Sequence, residues 1–549
     1  MNVLSSAEHT ELLRLLWPSS PPSGVAPDTS QDTLRWHRQG FEFQALKAFP
    51  LGLVQGHGGP CGVLAAVQAE MLRIFLFVRH RDVLRGGVQP DLQLLLEGDS
   101  VATDEVARQQ LLAEAMASLL IQCVNASAEG RRLEEQRVRV VVQAPDASDG
   151  DAVAYREQIV PLPSDGDGTP PQELVTLLQR EMPAFRGPHG VMNFTWSVLR
   201  TKGVAAVRSE MDDPQNALTG AFGHCTQELL NLLLTGKAVS NVFDGSVPMG
   251  DTGMLLHGVP RRARVGYLTQ LEALRYCQVG SYYKSPQFPV WVLASASHFS
   301  VGFALDARVC EESASAQLFQ RVQRVFKAFD PMETGFMEMA SLAESLKQLG
   351  VASEILSNEY WMARLLAKLE ISSGAGIVLW DEYWKVVSVL LHTNDFELAL
   401  SGEYDATVSV EAHPQLQRSD SDLARELQAQ FDAEERGGGA SAALVDPQPN
   451  PPPPAPQTPS PVISFDWFYY NGLGNSGISG DSKKNGRRPQ LAKCHLTLEK
   501  STAFIGKSVP IEDSGRSGGH GSPPLEEILK TKWPNARIDW LGTPIPSID

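Results

Sequence analysis

The segment Ser464-Phe465-Asp466-Trp467-Phe468-Tyr469-Tyr470 most restricts how this chain can fold. It follows a polar stretch from about Glu411 to Pro461. Within that stretch Gly437 to Gly439 signals flexibility, and the proline-rich run Pro447 to Pro461 signals a stiff, extended linker. So many aromatic rings do not stay in water at the end of a linker. The strand has to return to a folded body, and the simplest body available is the domain before the linker. The expected fold is therefore discontinuous, with an early and a late portion joined in space.

The rest of the chain fits that plan. Of its 549 residues 42% are hydrophobic, enough for a sizeable core. The length corresponds to roughly three to four domains at about 150 residues each. Residues 1–50 read as a mixed N-terminal segment, 51–310 as the first part of the main domain, and 311–400 as a helical insertion. Residues 401–461 read as an acidic, proline-rich, disordered linker, and 462–549 complete the main domain. Apolar periodicity marks helices at Val63 to Val78 and at Leu111 to Val124. Val138 to Gln143 reads as a strand, and Ala144 to Thr169, rich in Asp, Ser, Gly and Pro, as an exposed loop. Thr226 to Leu234 is a short helix stopped by Gly236. Val290 to Leu293 and Phe299 to Leu305 read as strands, and Gln490 to Leu498 as a further strand in the tail.

Composition excludes several function classes. Lys+Arg 47 against Asp+Glu 64 gives a net charge of −17. That argues against a binder of nucleic acid and against adhesion to anionic membranes. No uninterrupted apolar run reaches the roughly 18 residues of a membrane span. The longest candidate, Met71 to Val78, is broken by Arg73. The N-terminus lacks the basic-then-apolar layout of a signal peptide. The cysteines Cys61, Cys123, Cys225, Cys277, Cys310 and Cys494 are scattered and form no CxxC pair. That argues against a disulfide framework and a structural zinc site, and for an intracellular protein, cytoplasmic or nuclear, with reduced thiols. The basic cluster Lys483-Lys484-Asn485-Gly486-Arg487-Arg488 reads as a solvated loop or a nuclear signal.

One stretch carries chemistry: Gln55-Gly56-His57-Gly58-Gly59-Pro60-Cys61-Gly62. Glycine and proline punctuate a loop that runs directly into a helix. Cys61 then stands at the helix N-terminus, where free N–H groups and the positive end of the dipole favour a thiolate. A thiolate is the nucleophile of a cysteine hydrolase. Gln55, six residues upstream, can fold its amide back to stabilise an oxyanion. The plainer reading of Cys61 is a small buried hydrophobe, and of the loop a simple turn. The loop lacks the Lys-Ser/Thr of a phosphate cradle.

A distant histidine in the right setting supplies the second element. His298 follows the small residues of Ala294-Ser295-Ala296-Ser297 and opens an apolar strand. In papain-like geometry the base comes from a strand start, far in sequence and near in space. Otherwise His298 merely caps a strand. His57 is a rival but would crowd the thiol, and His224 is adjacent to Cys225 in sequence. A third group should orient the imidazole. The tail strand ends in Asn471-Gly472, which makes Asn471 the candidate, ahead of Asp306 and Asp466.

These residues resemble the MINDY deubiquitinases. The resemblance rests on Gln55 to Cys61, on Asn231 to Gly236 and Val239 to Gly245, and on Val265 to Thr269. Phe288 to Trp291 leading into Ser297 to Ser300, Tyr470 to Leu473 and Leu529 to Pro534 extend it. It is closest to the branch with an EF-hand-like insertion. It implies an α+β, papain-like cysteine protease that hydrolyses isopeptide bonds in polyubiquitin, with chains linked through ubiquitin's lysine 48 preferred. It also implies Cys61 as nucleophile, His298 as general base and Gln55 as oxyanion donor. The expected partners are polyubiquitin chains and ubiquitinated proteins, and no cofactor or metal is expected. An inactive ubiquitin-binding scaffold and a protease for another ubiquitin-like tag are the alternatives.

Two further stretches bear on that branch. Asp330 to Ser341 has EF-loop spacing, with Gly335 at position six and Met337 at position eight. Ile371 to Glu382 repeats it with Gly376 and Val378. Met332, Ser341, Ile371 and Ala375 occupy ligand positions without the side-chain carboxylates a calcium ion needs, so a calcium-free paired scaffold is expected. Within the linker, Leu423, Ala424 and Leu427 share one face of a short acidic helix that resembles single-helix ubiquitin-binding motifs; a solvated linker helix is the other reading.

Overall fold

The structure, a computed structural model, describes residues 2–18, 29–56, 58–85, 91–126, 136–144, 155–162, 169–249, 254–311, 314–330, 334–351, 356–370, 376–393, 395–401, 463–474, 490–498 and 522–548. The chain divides into two compact units. The first joins Met1–Glu311 to Ser464–Leu498 and Gly518–Asp549. The second comprises Glu312–Ile463 and Glu499–Ser517.

Helix α1 (Cys61–Ile74) is the axis of the first unit, buried along its whole length. A helix that is apolar all round belongs inside a core. It continues as a wider helical turn over Phe75–Arg79. Taken together, Cys61–Arg79 is long and apolar enough to cross a bilayer, which the count of uninterrupted apolar residues did not reveal. Here it is almost wholly packed inside protein. Its two interior charges pair. Arg73 Nε and Nη2 each donate to Glu70 at 2.9 Å, and Ser118 Oγ donates to Glu70 Oε1 at 2.5 Å. Burial alone would raise the Glu70 carboxyl, but Arg264 and Arg73 outweigh it and hold the group at about 2.

Helix α2 (Glu105–Asn125) and helix α3 (Gln227–Thr235) pack on α1. Thr226 precedes α3, and Gly236 ends it in the left-handed region. A six-stranded sheet covers α1. Its strands are β1 (Gly266–Thr269), β2 (Val290–Ala294), β3 (Phe299–Ala304), β4 (Ile463–Tyr470), β5 (Leu491–Leu498) and β6 (Ala536–Asp539). They lie in that order across the sheet. β1 and β2 are parallel, while β2–β3 and β3–β4 are antiparallel. The register Val301↔Tyr470 and Phe303↔Phe468 seats the tail beside the strand that follows His298. The aromatic tail strand thus returns to the first domain. Helix α4 (Pro524–Lys532) lies between β5 and β6 in sequence and adds Trp533 against Trp291 and Trp467.

Two readings of the early chain change. The first 50 residues are part of the main body. Helices Ser6–Leu16 and Thr29–Arg38 and the segment 39–52 after them supply Leu12, Leu15, Trp36, Phe41 and Phe49 to the same core as α1. The loop expected over 144–169 contains a strand, Tyr155–Pro161, paired antiparallel with Arg137–Gln143. Its buried Glu157 accepts from Arg139 at 2.7 Å and from Arg200 at 2.8 Å, which fixes it to the sheet.

The second unit has its own core, including Val322, Phe326, Leu346, Leu365, Tyr383 and Val387. Two short strands, Phe336–Glu338 and Ile377–Leu379, pair antiparallel with Met337 opposite Val378. Gly335 and Gly376 precede them at φ +81° and +67°. Asp330 accepts from the backbone of Thr334 at 2.9 Å and of Gly335 at 2.7 Å, closing the first loop. The linker over 402–462 and the ligand positions Met332, Ile371 and Ala375 lie outside the described residues. Mixed helix and sheet content makes the chain α+β.

Candidate active site

Local structure delivers Cys61 to the first residue of α1. Gly59 turns the chain at φ +118°, and a side chain there would meet the Trp36 indole. Pro60 is the cap residue, and its carbonyl accepts from Val63 and Leu64. The backbone N–H groups of Cys61 and Gly62 face the Cys61 sulfur, and so does the N–H of Phe299 on β3. Helix start and strand start therefore converge on one sulfur. Cys61 Sγ also lies 3.8 Å from the Gly59 carbonyl oxygen.

His298 is carried by the turn between β2 and β3, where Ala294 pairs with Phe299. Ser295 organises this turn. Its Oγ accepts from the His298 N–H at 2.9 Å and from the Ser297 N–H at 3.1 Å. The imidazole is buried, and its Nε2 is 2.6 Å from the main-chain oxygen of Asn471. A carbonyl oxygen only accepts, so Nε2 carries the proton and Nδ1 is left as the basic nitrogen. The Asn471 side chain has structural partners. Its Oδ1 accepts from Leu473 N–H at 3.2 Å and Gln490 N–H at 2.9 Å, holding the ends of β4 and β5 together.

Gln55 is woven into the same junction. Its N–H donates to Gly472 O at 2.8 Å, and its carbonyl accepts from Gly474 N–H at 2.9 Å. Tyr470 OH donates to Leu53 O at 2.9 Å, and Gly52 leaves room for that ring. Tail and nucleophile loop are thus bonded to each other. Cys61, His298, Gln55 and Asn471 all line one cleft, whose other walls include Leu53, Gln68, Phe299 and Ser300.

Burial dominates the electrostatics of the thiol. It pushes Cys61 up to about 11, against the pull of the Phe299, Cys61 and Gly62 N–H groups. In the free chain the sulfur is a neutral thiol at pH 7, and a proton acceptor must take its proton when it reacts.

Comparison with known proteins matches residues 28–322 to the family model described as "Deubiquitinating enzyme MINDY-3/4, conserved domain". "Ubiquitin carboxyl-terminal hydrolase MINDY-3" of Xenopus tropicalis is 33% identical over 377 residues, covering 67% of this chain and 80% of that protein. The Homo sapiens protein of the same name is 33% identical over 382 residues, with the same coverage. "Probable ubiquitin carboxyl-terminal hydrolase MINDY-4" of Mus musculus is 36% identical over 293 residues, covering 52% of this chain and 36% of that protein. The chain belongs to the MINDY-3/4 family of deubiquitinating enzymes. No solved structure matches it.

The MINDY-3/4 model spans Gln55, Cys61 and His298, while Asn471 lies beyond its end. All four meet at the cleft, although Asn471 reaches the imidazole with its backbone. Asp306 and Asp466 are engaged elsewhere, with Arg308 at 2.7 Å and with Lys493 at 2.7 Å. His57 and the linker residues Leu423, Ala424 and Leu427 lie outside the described residues. Among the described residues no group of three or more His, Cys, Asp or Glu side chains is placed to hold a metal.

Two glutamines that support the site escaped sequence reasoning. Gln39 Oε1 accepts from Gly56 N–H at 2.9 Å, and its Nε2 donates to Val54 O at 3.1 Å, bracketing Gln55. Gln68, two helical turns below Cys61, accepts from Leu53 N–H at 2.6 Å. A polar residue between the apolar Val67 and Ala69 was the available signal for Gln68; Gln39 lies in the stretch read as a mixed N-terminal segment.

Proposed function

We propose that this chain is a thiol-dependent ubiquitin hydrolase that cleaves isopeptide bonds in polyubiquitin, with chains linked through ubiquitin's lysine 48 preferred. The single observation that carries the reading is the convergence on Cys61: helix-start N–H groups and the N–H after His298 face its sulfur, and Nε2 of His298 is tied to a carbonyl. In this mechanism Nδ1 of His298 takes the Cys61 proton and the sulfur attacks the carbonyl of ubiquitin's terminal glycine. The oxyanion faces the Gln55 amide and the helix-start N–H groups. One such donor contributes about 3 kcal/mol in the transition state. His298 then protonates the departing lysine amine, and water releases the acyl-enzyme. A narrow cleft suits the side-chain-poor end of ubiquitin.

The buried helix start facing a sheet-borne histidine supports a papain-like arrangement. The strand pair through Met337 and Val378, each preceded two residues earlier by a left-handed glycine, supports an EF-hand-like pair in the second unit. The missing side-chain carboxylates support calcium independence. The linker helix with Leu423, Ala424 and Leu427 is proposed as a second, tethered ubiquitin contact, which raises local concentration on chains. Six free thiols support a reducing, intracellular setting. Near-complete burial of Cys61 favours the competing reading, an inactive scaffold. A ubiquitin probe with an electrophilic C-terminus separates the two. Labelling at Cys61, lost in Cys61→Ala, is expected; no adduct with the wild type contradicts the enzyme reading.

A further inference from the structure

A second cysteine stands at the same helix start. Cys225 precedes α3 and is buried, and its Sγ lies 3.8 Å from the Gly59 carbonyl oxygen. That is the same atom, at the same distance, as for Cys61 Sγ. The two sulfurs are thus separated by no more than twice that length. They also share a donor, because the Gly62 N–H faces both. The Cys225 side chain rests directly on the backbone between the first turns of α1. A Cβ on Gly62 would lie 2.9 Å from Cys225 Cβ and 3.0 Å from its Sγ. No step of the hydrolysis uses this thiol.

The approach to Cys225 is a short, constrained turn. Phe222 is held at φ +59° with its ring 70% exposed, and Gly223 follows at φ +69°. Trp36 Nε1 donates to Gly223 O at 2.8 Å, so the turn hangs from the same tryptophan that packs on Gly59. Such strained turns persist where the surroundings hold them, and they cluster at functional sites and switch regions. A disulfide needs Cβ atoms about 3.8 Å apart. Both sulfurs already lie 3.8 Å from the Gly59 carbonyl oxygen, so the two side chains face one turn.

We propose that Cys225 is the resolving thiol for Cys61, so that peroxide converts the pair into a reversible disulfide that switches the site off and shields it from over-oxidation. The first step is attack of Cys61 on an oxygen of hydrogen peroxide, its thiol proton passing to His298. The O–O bond breaks, the departing hydroxide recovers that proton and leaves as water, and Cys61 becomes a sulfenic acid. Cys225 then loses its proton and attacks the Cys61 sulfur. The S–S bond forms, the S–O bond breaks, and the hydroxyl departs as water with that proton. Two thiols lose two electrons and two protons, and hydrogen peroxide is reduced to two waters. The shared helix start aids the second step. Burial opposes ionisation of Cys225, while the Val63 and Gly62 N–H groups face its sulfur and favour loss of its proton as the S–S bond forms. Without a resolving thiol the sulfenic acid proceeds to sulfinic acid, which thiol reductants do not reverse.

The test treats the full chain with graded hydrogen peroxide, then with dithiothreitol. Peptide mass spectrometry reads the linkage, and ubiquitin-chain cleavage reads activity. In the wild type a Cys61–Cys225 cross-linked peptide, two hydrogens lighter than the separate peptides, is expected, and dithiothreitol restores activity. Cys225→Ser and Cys225→Ala keep basal activity but accumulate Cys61 sulfinic acid, and dithiothreitol no longer restores them. Absence of the cross-link while Cys61 is oxidised, or equal recovery in the Cys225 variants, overturns the proposal. The inference rests on Cys61 being the reactive thiol, but the cross-link is read without ubiquitin. A cross-link in a chain that cleaves nothing would overturn only the hydrolase reading, and active protein with no cross-link only this one.

Discussion

The helix start that carries Cys61 and the strand end that carries Asn471 meet the same histidine region with different kinds of atom. On the Cys61 side the side chain itself lies at the cleft, and the backbone aims N–H groups at its sulfur. On the Asn471 side the roles reverse. The main-chain oxygen holds Nε2 of His298 at 2.6 Å, while the Asn471 side chain ties Leu473 and Gln490 in place. Under the proposed mechanism, residue identity matters for chemistry on the first side and for architecture on the second. It predicts unequal sensitivity to substitution.

The largest effect falls on the helix-start side. Cys61→Ala removes the nucleophile and should lower kcat for ubiquitin-chain cleavage about 10⁶-fold. Thermal unfolding should show the fold retained, since only one sulfur is lost. Gln55→Ala, which deletes one oxyanion donor, should cost about 10²–10³-fold in kcat with little change in KM. Purified steady-state kinetics checks both. A Gln55→Ala enzyme with unchanged kcat would remove Gln55 from the chemistry and leave it as a link to Gly472 and Gly474.

The thiol's burial makes a pH prediction. The pKa of Cys61 is raised to about 11, so at pH 7 the protonated form dominates and the thiolate grows as pH rises. Iodoacetamide labelling of Cys61 in the free enzyme should therefore accelerate about ten-fold per pH unit between pH 7 and about pH 11. A rate that levels off near neutrality would show a thiolate already formed by His298 in the absence of substrate.

The smallest effect on chemistry is on the strand-end side. Asn471→Ala keeps the carbonyl that holds His298, so kcat should fall far less than for Gln55→Ala. Stability should fall by about 1–3 kcal/mol, because the backbone N–H groups of Leu473 and Gln490 lose their acceptor. Chemical denaturation reads that cost. Gly472→Val sharpens the contrast. Gly472 sits at φ +65°, and a β-branched residue there is strained by about 1–2 kcal/mol. The change should displace the adjacent carbonyl and lower kcat more than Asn471→Ala does.

Sequence legibility follows the same division. The placing of Cys61 and His298 at one cleft was readable because both stood in punctuated contexts, a Gly-Pro loop and a small-residue turn. The return of the tail was readable because seven consecutive residues, five of them aromatic, had nowhere else to go. The carbonyl of Asn471 was not readable, since every residue has one and only the register of β3 on β4 selects it. The strand Tyr155–Pro161 was hidden by the glycine-, aspartate- and serine-rich residues on both sides, which made the whole interval look like loop. The first 50 residues looked peripheral because their core contacts, Trp36 and Phe41 among them, are scattered among polar neighbours. The nearness of Cys225 to the start of α1 was not readable, because its neighbour in space, Gly62, lies far from it in sequence.

The most direct test compares cleavage of linkage-defined diubiquitin by wild type, Cys61→Ala, His298→Ala and Asn471→Ala under identical conditions. Inactive Cys61 and His298 variants alongside a folded Asn471 variant that still cleaves are the predicted result. Cleavage by Cys61→Ala or His298→Ala, or a folded Asn471→Ala as inert as His298→Ala, would contradict it.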